Sequence, residues 1–504
     1  MISIPYYSRS LTPETPEGVA LVSLFCIALT FAAALYSLNA AGGWMLDDLF
    51  SLWASDQATP FSVALQERIL PDSNPPLYFS LLYFVRQIIP GDGAAVIALN
   101  VSAVVAASAA VYVPSRRLGL SGLAIAGIAA FALSGPALYF ASGGRAYLSA
   151  LAIVFVTSWY ASLAITGFPA QLNLARATTL GALAALTHVY AALFCGCMAA
   201  GLLALALLLR RKDLVKHGLA LGLSATAVFG LWLIYAFDSA GNLDWIEFTR
   251  GWVLNAALSV KELALGANLQ VLAALALFAF GLFHERTRPL FIAFCIAFSL
   301  FVLLPVLASF VRPIITARYW LIGAAALPVL MVFAARMWIL EGFAGRSRKA
   351  LMAGGAALCF LMISSALGFA NARLYTSLKP IWRGVDVVRP LLSQCPSGPI
   401  HVYYGNSGKP YAAWDSAIWS FARLTGASPK LFADPQEDAT PSVSAATSPC
   451  PVLGWAEHAK SLANFSEADL LKLLKIEAGP SGVDFVRHFR GFVVLRRDRT
   501  VPAS

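Results

Sequence analysis

Two adjacent carboxylates, Asp47 and Asp48, stand in the run Trp44-Met45-Leu46-Asp47-Asp48-Leu49-Phe50, where the first long apolar stretch of the chain ends. Carboxylates are costly to hold beside hydrocarbon, so acids at a membrane rim are candidates for function. A carboxylate within hydrogen-bond reach of a hydroxyl or amine can take its proton. Neighbouring helical residues project about 100° apart, so one acid can face a reacting group while the other orients it or holds an ion. Trp44, Phe50 and Trp53 supply pocket-like surroundings for the pair.

Two arginines offer complementary chemistry. Arg145 lies in Ser142-Gly143-Gly144-Arg145-Ala146-Tyr147, between two apolar runs, and Thr316-Ala317-Arg318-Tyr319 repeats the pairing of Arg with Tyr at another helix entrance. A guanidinium forms paired, charge-assisted bonds to phosphate oxygens, which makes Arg145 and Arg318 candidate phosphate ligands; Arg and Tyr also serve as interfacial anchors. His188 and Tyr190 cap a turn inside the long apolar stretch 173–209. No His or Cys spacing suggests zinc, and His188 is read as pocket lining. Asn74-Pro75-Pro76-Leu77-Tyr78 is a rigid entry into a short apolar segment, since paired prolines break regular structure.

The elements that must position these residues are membrane helices. The 504-residue chain is 59% hydrophobic and 12% charged, with mean hydropathy +0.71, about half the charge of an ordinary soluble domain. Apolar runs of the roughly twenty residues needed to cross a bilayer fall at 19–42, 93–114, 120–140, 146–166, 175–188, 190–209, 217–237, 268–284, 289–308, 319–338 and 350–370. This predicts a polytopic α-helical membrane domain, 1–370, with about eleven crossings, followed by a small soluble α/β domain, 371–504. The first run is longer than a signal-peptide core and follows Glu14 and Glu17, so it is expected to remain as a signal anchor.

Orientation follows from Lys and Arg in the short loops. Fourteen, including Arg116, Arg117, Arg210, Arg211, Lys212 and Lys216, fall on one side and seven on the other. The richer side is expected to be cytoplasmic, which leaves Asp47-Asp48, the long loop 43–92, the loop 238–267 and the C-terminal domain outside. The segment 75–86 is then a helix lying in the outer interface rather than a crossing. The net charge of +10 reads as orientation signal and affinity for anionic lipid headgroups, not nucleic acid.

In the C-terminal region, 400–404 and 492–495 read as strands, and 413–426 and 466–477 as helices. Five of seven cysteines lie in apolar runs as small buried hydrophobes. Cys395 and Cys450 remain, in a region assigned to an oxidising compartment, where they would pair as a disulfide.

Taken in order, the acidic pair Asp47-Asp48, the Pro75-to-Tyr78 helix start, the Arg145/Tyr147 hairpin, the Thr187-His188-x-Tyr190 turn and the Arg318-Tyr319 entrance resemble the GT-C superfamily of membrane glycosyltransferases. The resemblance covers roughly 19–340 and is to the bacterial branch related to protein O-mannosyltransferases and lipid A aminoarabinose transferases. It implies a polyprenyl-phosphate-linked sugar donor, an envelope lipid, glycan or protein acceptor, and inverting transfer at the outer face of the bacterial inner membrane. It further implies Asp47 as base, Asp48 as its support or as ligand of a divalent cation (Mg or Mn), and Arg145 and Arg318 on the donor phosphate. Tyr78, Tyr147, His188, Tyr190 and Tyr319 would line the pocket. Two departures stand out: Asn74 replaces a common His before the double proline, and Gly143-Gly144 replace an acid before the Arg-x-Tyr hairpin. Asp244, Glu247 and Glu262 are the alternatives for a second carboxylate. Rival functions are a lipid or lipid-linked-sugar flippase and a non-catalytic envelope scaffold.

Overall fold

The computed structural model describes residues 17–41, 46–72, 74–168, 171–236, 249–311, 313–344 and 347–378. Beyond these it describes five strands between Ile400 and Arg497, and the helical residues Trp419 and Ala422. The chain divides into two compact units, one of residues 1–42 and 55–378, the other of 43–54 and 379–504.

Among its described residues the regular elements of the first unit are all helices. Eight helices are long and apolar enough to cross a membrane, and two bent helix pairs bring the number to ten if each pair is one span. In chain order the elements are α1 (Glu17–Ala41), α3 (Phe61–Ala64) running into a π-helical turn (Leu65–Ile69), α4 (Leu77–Ile88), α5 (Asp92–Arg117), α6 (Ser121–Ala132), α7 (Gly135–Ala141) and α8 (Tyr147–Ile165). There follow α9 (Leu174–Thr187), α10 (Val189–Leu209), α11 (Lys212–Ala236), α12 (Arg250–Ala264), α13 (Asn268–Phe283), α14 (Arg288–Ser309), α15 (Ala317–Gly323), α16 (Ala326–Phe343) and α17 (Arg348–Leu378). Helix α2 (Leu46–Ala54) belongs to the second unit.

Several expected spans are broken, each for a local reason. The run 120–140 bends by 58° between α6 and α7, where the Ser134 hydroxyl accepts from the Ala137 N–H and Pro136 occupies the first turn, a strong start signal for a new helix. The α12 helix was expected as part of an outer loop; it forms instead and meets α13 at 81°. The hinge contains Gly266, at φ +93° with Leu367 against its backbone, a conformation and a closeness that favour glycine. The stretch 173–209 splits as expected, but α9 ends at Thr187 and His188 is extended, at φ −162°, in neither helix. At the opposite end of α10, Arg210 is left-handed and Arg211 donates to the carbonyls of Ala164 and Ile165, closing the C-terminus of α8. Small residues let backbones approach, as membrane helices require where hydrophobicity alone gives no driving force: Gly135 of α7 and Gly368 of α17 face each other.

In the second unit the strands β1 (Ile400–Tyr404), β2 (Phe432–Ala433), β3 (Val452–Trp455), β4 (Val483–His488) and β5 (Phe492–Arg497) form one sheet in the order β2-β1-β3-β5-β4. β1 runs parallel to β2 and β3, while β5 is antiparallel to β3 and β4. Two expected strands coincide with β1 and with most of β5. The expected helix at 466–477 and the Cys395–Cys450 pair lie outside the described residues; the five described cysteines are free thiols.

Candidate functional site

Within the first unit, residues far apart in sequence converge on one aromatic and cationic cluster. Tyr147 opens α8, Tyr190 opens α10, and Arg318 and Tyr319 open α15. The His188 ring lies 5.3 Å from Tyr147 and 5.5 Å from Tyr319, and Tyr190 is 4.8 Å from Tyr319. The Arg318 guanidinium stands over Tyr147 at 6.0 Å and over Tyr319 at 5.9 Å, distances at which ring faces attract a cation. The long helices α8 and α10 both begin here, and their amino ends carry partial positive charge.

Arg145 sits in the hairpin between α7 and α8, and its shape is imposed from α5. The Asn100 amide donates to the carbonyls of Ala141 (3.1 Å) and Gly143 (2.8 Å). Asn100 is fully buried in the helix α5, so it must spend its donors on such groups. Arg145 forms an ion pair with Asp72 at 3.4 Å, with only 12% and 10% of the two side chains exposed, and lies over Phe79 at 5.6 Å. Asn74 donates to the same Asp72 oxygen. Tyr78, buried at the start of α4, packs its ring edge to Phe79. Arg86, further along α4, is buried and bonded to Ser55 and Asp92. The segment after the double proline is therefore a packed helix with internal ionic ties.

The entrance carrying Arg318 is extended before its helix begins, and two aromatic donors hold it. The Tyr190 hydroxyl donates to the Ile314 carbonyl at 2.7 Å, and the Trp252 indole N–H to the Ile315 carbonyl at 2.6 Å. Trp252 belongs to the helix α12 that periodicity did not reveal. Asp72, Asn100 and Trp252 are thus the positioning residues that sequence reasoning left without a role. A lone amide in an apolar span was the available signal for Asn100; nothing local marked Trp252.

His188 is almost fully buried. Its Nδ1 accepts the Tyr190 backbone N–H at 3.1 Å, which caps α10. Burial first, and then the charges of Arg145 and Arg318, lower its pKa to about 3, so the ring is neutral at ordinary pH.

Asp48 lies in α2 of the second unit, where its side chain is buried. Phe50 and Trp53 of that helix are in ring contact at 5.5 Å. The side chain of Asp47 lies outside the described residues, as do Asp244 and Glu247. Glu262 accepts from the Tyr375 hydroxyl at 2.6 Å and faces Lys261, an engagement on α17 rather than at the arginines. Among the described residues no group of three or more His, Cys, Asp or Glu side chains could hold a metal ion.

No protein-family model matches the chain, and no curated protein matches its sequence. Solved structures do match its fold. ArnT from Cupriavidus metallidurans in the apo state superposes with a TM-score of 0.55 at 12% identity, covering 95% of this chain and 98% of that one. The same protein bound to undecaprenyl phosphate gives a TM-score of 0.53 at the same identity and coverage. Across nearly its whole length the chain therefore shares the fold of these ArnT structures, and its apolar helices are those of a multi-pass membrane protein.

Proposed function

We propose that this protein is an inner-membrane glycosyltransferase that moves a sugar from a polyprenyl-phosphate donor to an envelope acceptor at the outer face. The observation that carries the reading is the meeting of Arg145-bearing hairpin, Arg318-bearing entrance and tyrosine cluster, in a fold shared with a structure holding undecaprenyl phosphate. The likeness in fold supports the lipid-phosphate class of donor.

In this reading Asp47 takes the proton of an acceptor hydroxyl or amine, and the freed lone pair attacks the anomeric carbon. The bond from that carbon to the phosphate oxygen breaks, and the electron pair leaves on the lipid phosphate. Arg145 and Arg318 stabilise that charge by electrostatic preorganisation, which acts most strongly on charge that develops in the transition state. Attack opposite the leaving group inverts the anomeric centre, an expectation taken from the GT-C resemblance. Asp48 supports Asp47. The resemblance would place any divalent cation at Asp48; the described residues supply no fuller ligand set, and each step above uses the chain's own groups. We read the short apolar α9 as an eleventh crossing and the sheet-bearing unit as a small extracytoplasmic α/β domain that helps select the acceptor.

The test is sugar transfer in membranes given a panel of radiolabelled polyprenyl-phosphate sugars, comparing wild type with Asp47→Asn at equal expression. One donor should give product with wild type and at least about 100-fold less with the variant, the scale of a lost general base. Equal product from both would remove Asp47 from the chemistry, and no product from any donor would count against the donor class.

A further inference from the structure

Inside the aromatic cluster is a hydrogen-bond donor that the fold leaves unused. Because His188 Nδ1 accepts the Tyr190 N–H, the neutral ring carries its proton on Nε2. That atom is buried and has no hydrogen-bond partner among the described residues, an expensive condition unless something else accepts from it. Thr316 Oγ1, two residues before Arg318, is buried and unpartnered in the same way. The rings beside His188, Tyr147 and Tyr319, are the ones over which the Arg318 guanidinium stands. Arg318 and Tyr319 are only half-buried, so the cluster is reached from their side.

We propose that His188 is a ligand-binding residue whose Nε2–H donates to an oxygen of the lipid phosphate held by Arg145 and Arg318, a diester in the sugar donor and a monoester once the sugar has left. The inference rests on the donor-phosphate reading above and adds one residue and one atom to it. A neutral donor suits this position. A third cation would be repelled by the two guanidiniums, and that repulsion together with burial keeps the imidazole uncharged, while a neutral N–H still bonds well to an anionic oxygen. The backbone bond to Nδ1 does more than cap a helix: it fixes the tautomer that makes Nε2 a donor.

Two substitutions separate the ligand role from the capping role. His188→Asn keeps an acceptor near the Nδ1 position and removes the Nε2 donor; His188→Gln keeps an N–H near Nε2 and loses the cap acceptor. The full-length protein in nanodiscs is titrated with undecaprenyl phosphate and, separately, with inorganic phosphate. Wild type should bind the lipid, with His188→Asn weaker by about 10-fold and His188→Gln within about 3-fold, as expected for one charge-assisted hydrogen bond. The same ranking with inorganic phosphate would extend the site to the free anion, and a ranking seen with the lipid alone would assign it to a lipid headgroup; both support the proposal. Wild-type affinity in His188→Asn with loss in His188→Gln would reduce His188 to a helix cap and overturn it, as would equal affinity in all three. Absence of lipid binding by wild type would instead overturn the donor reading, and this inference with it.

Discussion

At the scale of single residues, the site is a balance between charges the protein pairs internally and groups it holds ready. Asp72 neutralises part of Arg145 in a nearly buried pair, and such pairs hold geometry more than they add stability. His188 shows the opposite treatment: it is buried neutral, with a pKa near 3 against an ordinary 6.5. Between those values the unfolded chain binds a proton that the folded chain does not, so stability falls as pH drops from about 6.5 towards 3 and is unaffected by this group above 7. His188→Gln should therefore lose less of its thermal midpoint than wild type between pH 7.5 and pH 5, measured on ligand-free protein. An equal loss in both would mean that the imidazole is not held neutral.

At the scale of elements, glycines and broken helices set where the site residues can go. A Cβ on Gly135 would come within 2.2 Å of the Leu263 carbonyl and 2.7 Å of the Gly368 Cα, backbone atoms that cannot swing aside. Gly135→Ala should therefore force α7 away from α12 and α17, costing about 1–3 kcal/mol as overpacking does and lowering the thermal midpoint. Because α7 leads into the Arg145 hairpin and α12 carries Trp252, lipid-phosphate binding should weaken in the same variant. An unchanged midpoint would show that the three helices do not meet there. The hairpin also depends on Asn100 of α5, whose two bonds reach carbonyls more than forty positions further along the chain.

At the scale of the whole molecule, the orientation drawn from the basic loops makes a direct prediction. A periplasmic phosphatase reporter fused after Gly143 or after Ser504 should be active, and one fused after Arg211 inactive, because only the first two fall on the outer side. The reverse pattern would put the Arg145 hairpin on the cytoplasmic side and remove it from extracytoplasmic sugar transfer. The likeness in fold to ArnT covers 95% of the chain, and the C-terminal fusion tests the side of the sheet-bearing unit.

Composition and the apolar runs by themselves determined a multi-pass helical protein, because the cost of unsatisfied backbone in hydrocarbon leaves helices as the spanning form such runs can take. Order along the chain also made Arg145, Arg318, Tyr147, His188, Tyr190 and Tyr319 visible as candidates, since polar and aromatic residues at helix ends stand out against apolar neighbours. Only the tertiary structure decided that the other five meet around the His188 imidazole, that Arg145 faces Asp72 rather than Glu262, and that Asn100 and Trp252 hold the two arginine-bearing segments. Those contacts join positions tens to well over a hundred residues apart. Periodicity reports which face of a helix is apolar, whereas helix crossings, hinges at Ser134 and Gly266 and close glycine contacts decide which ends are brought together.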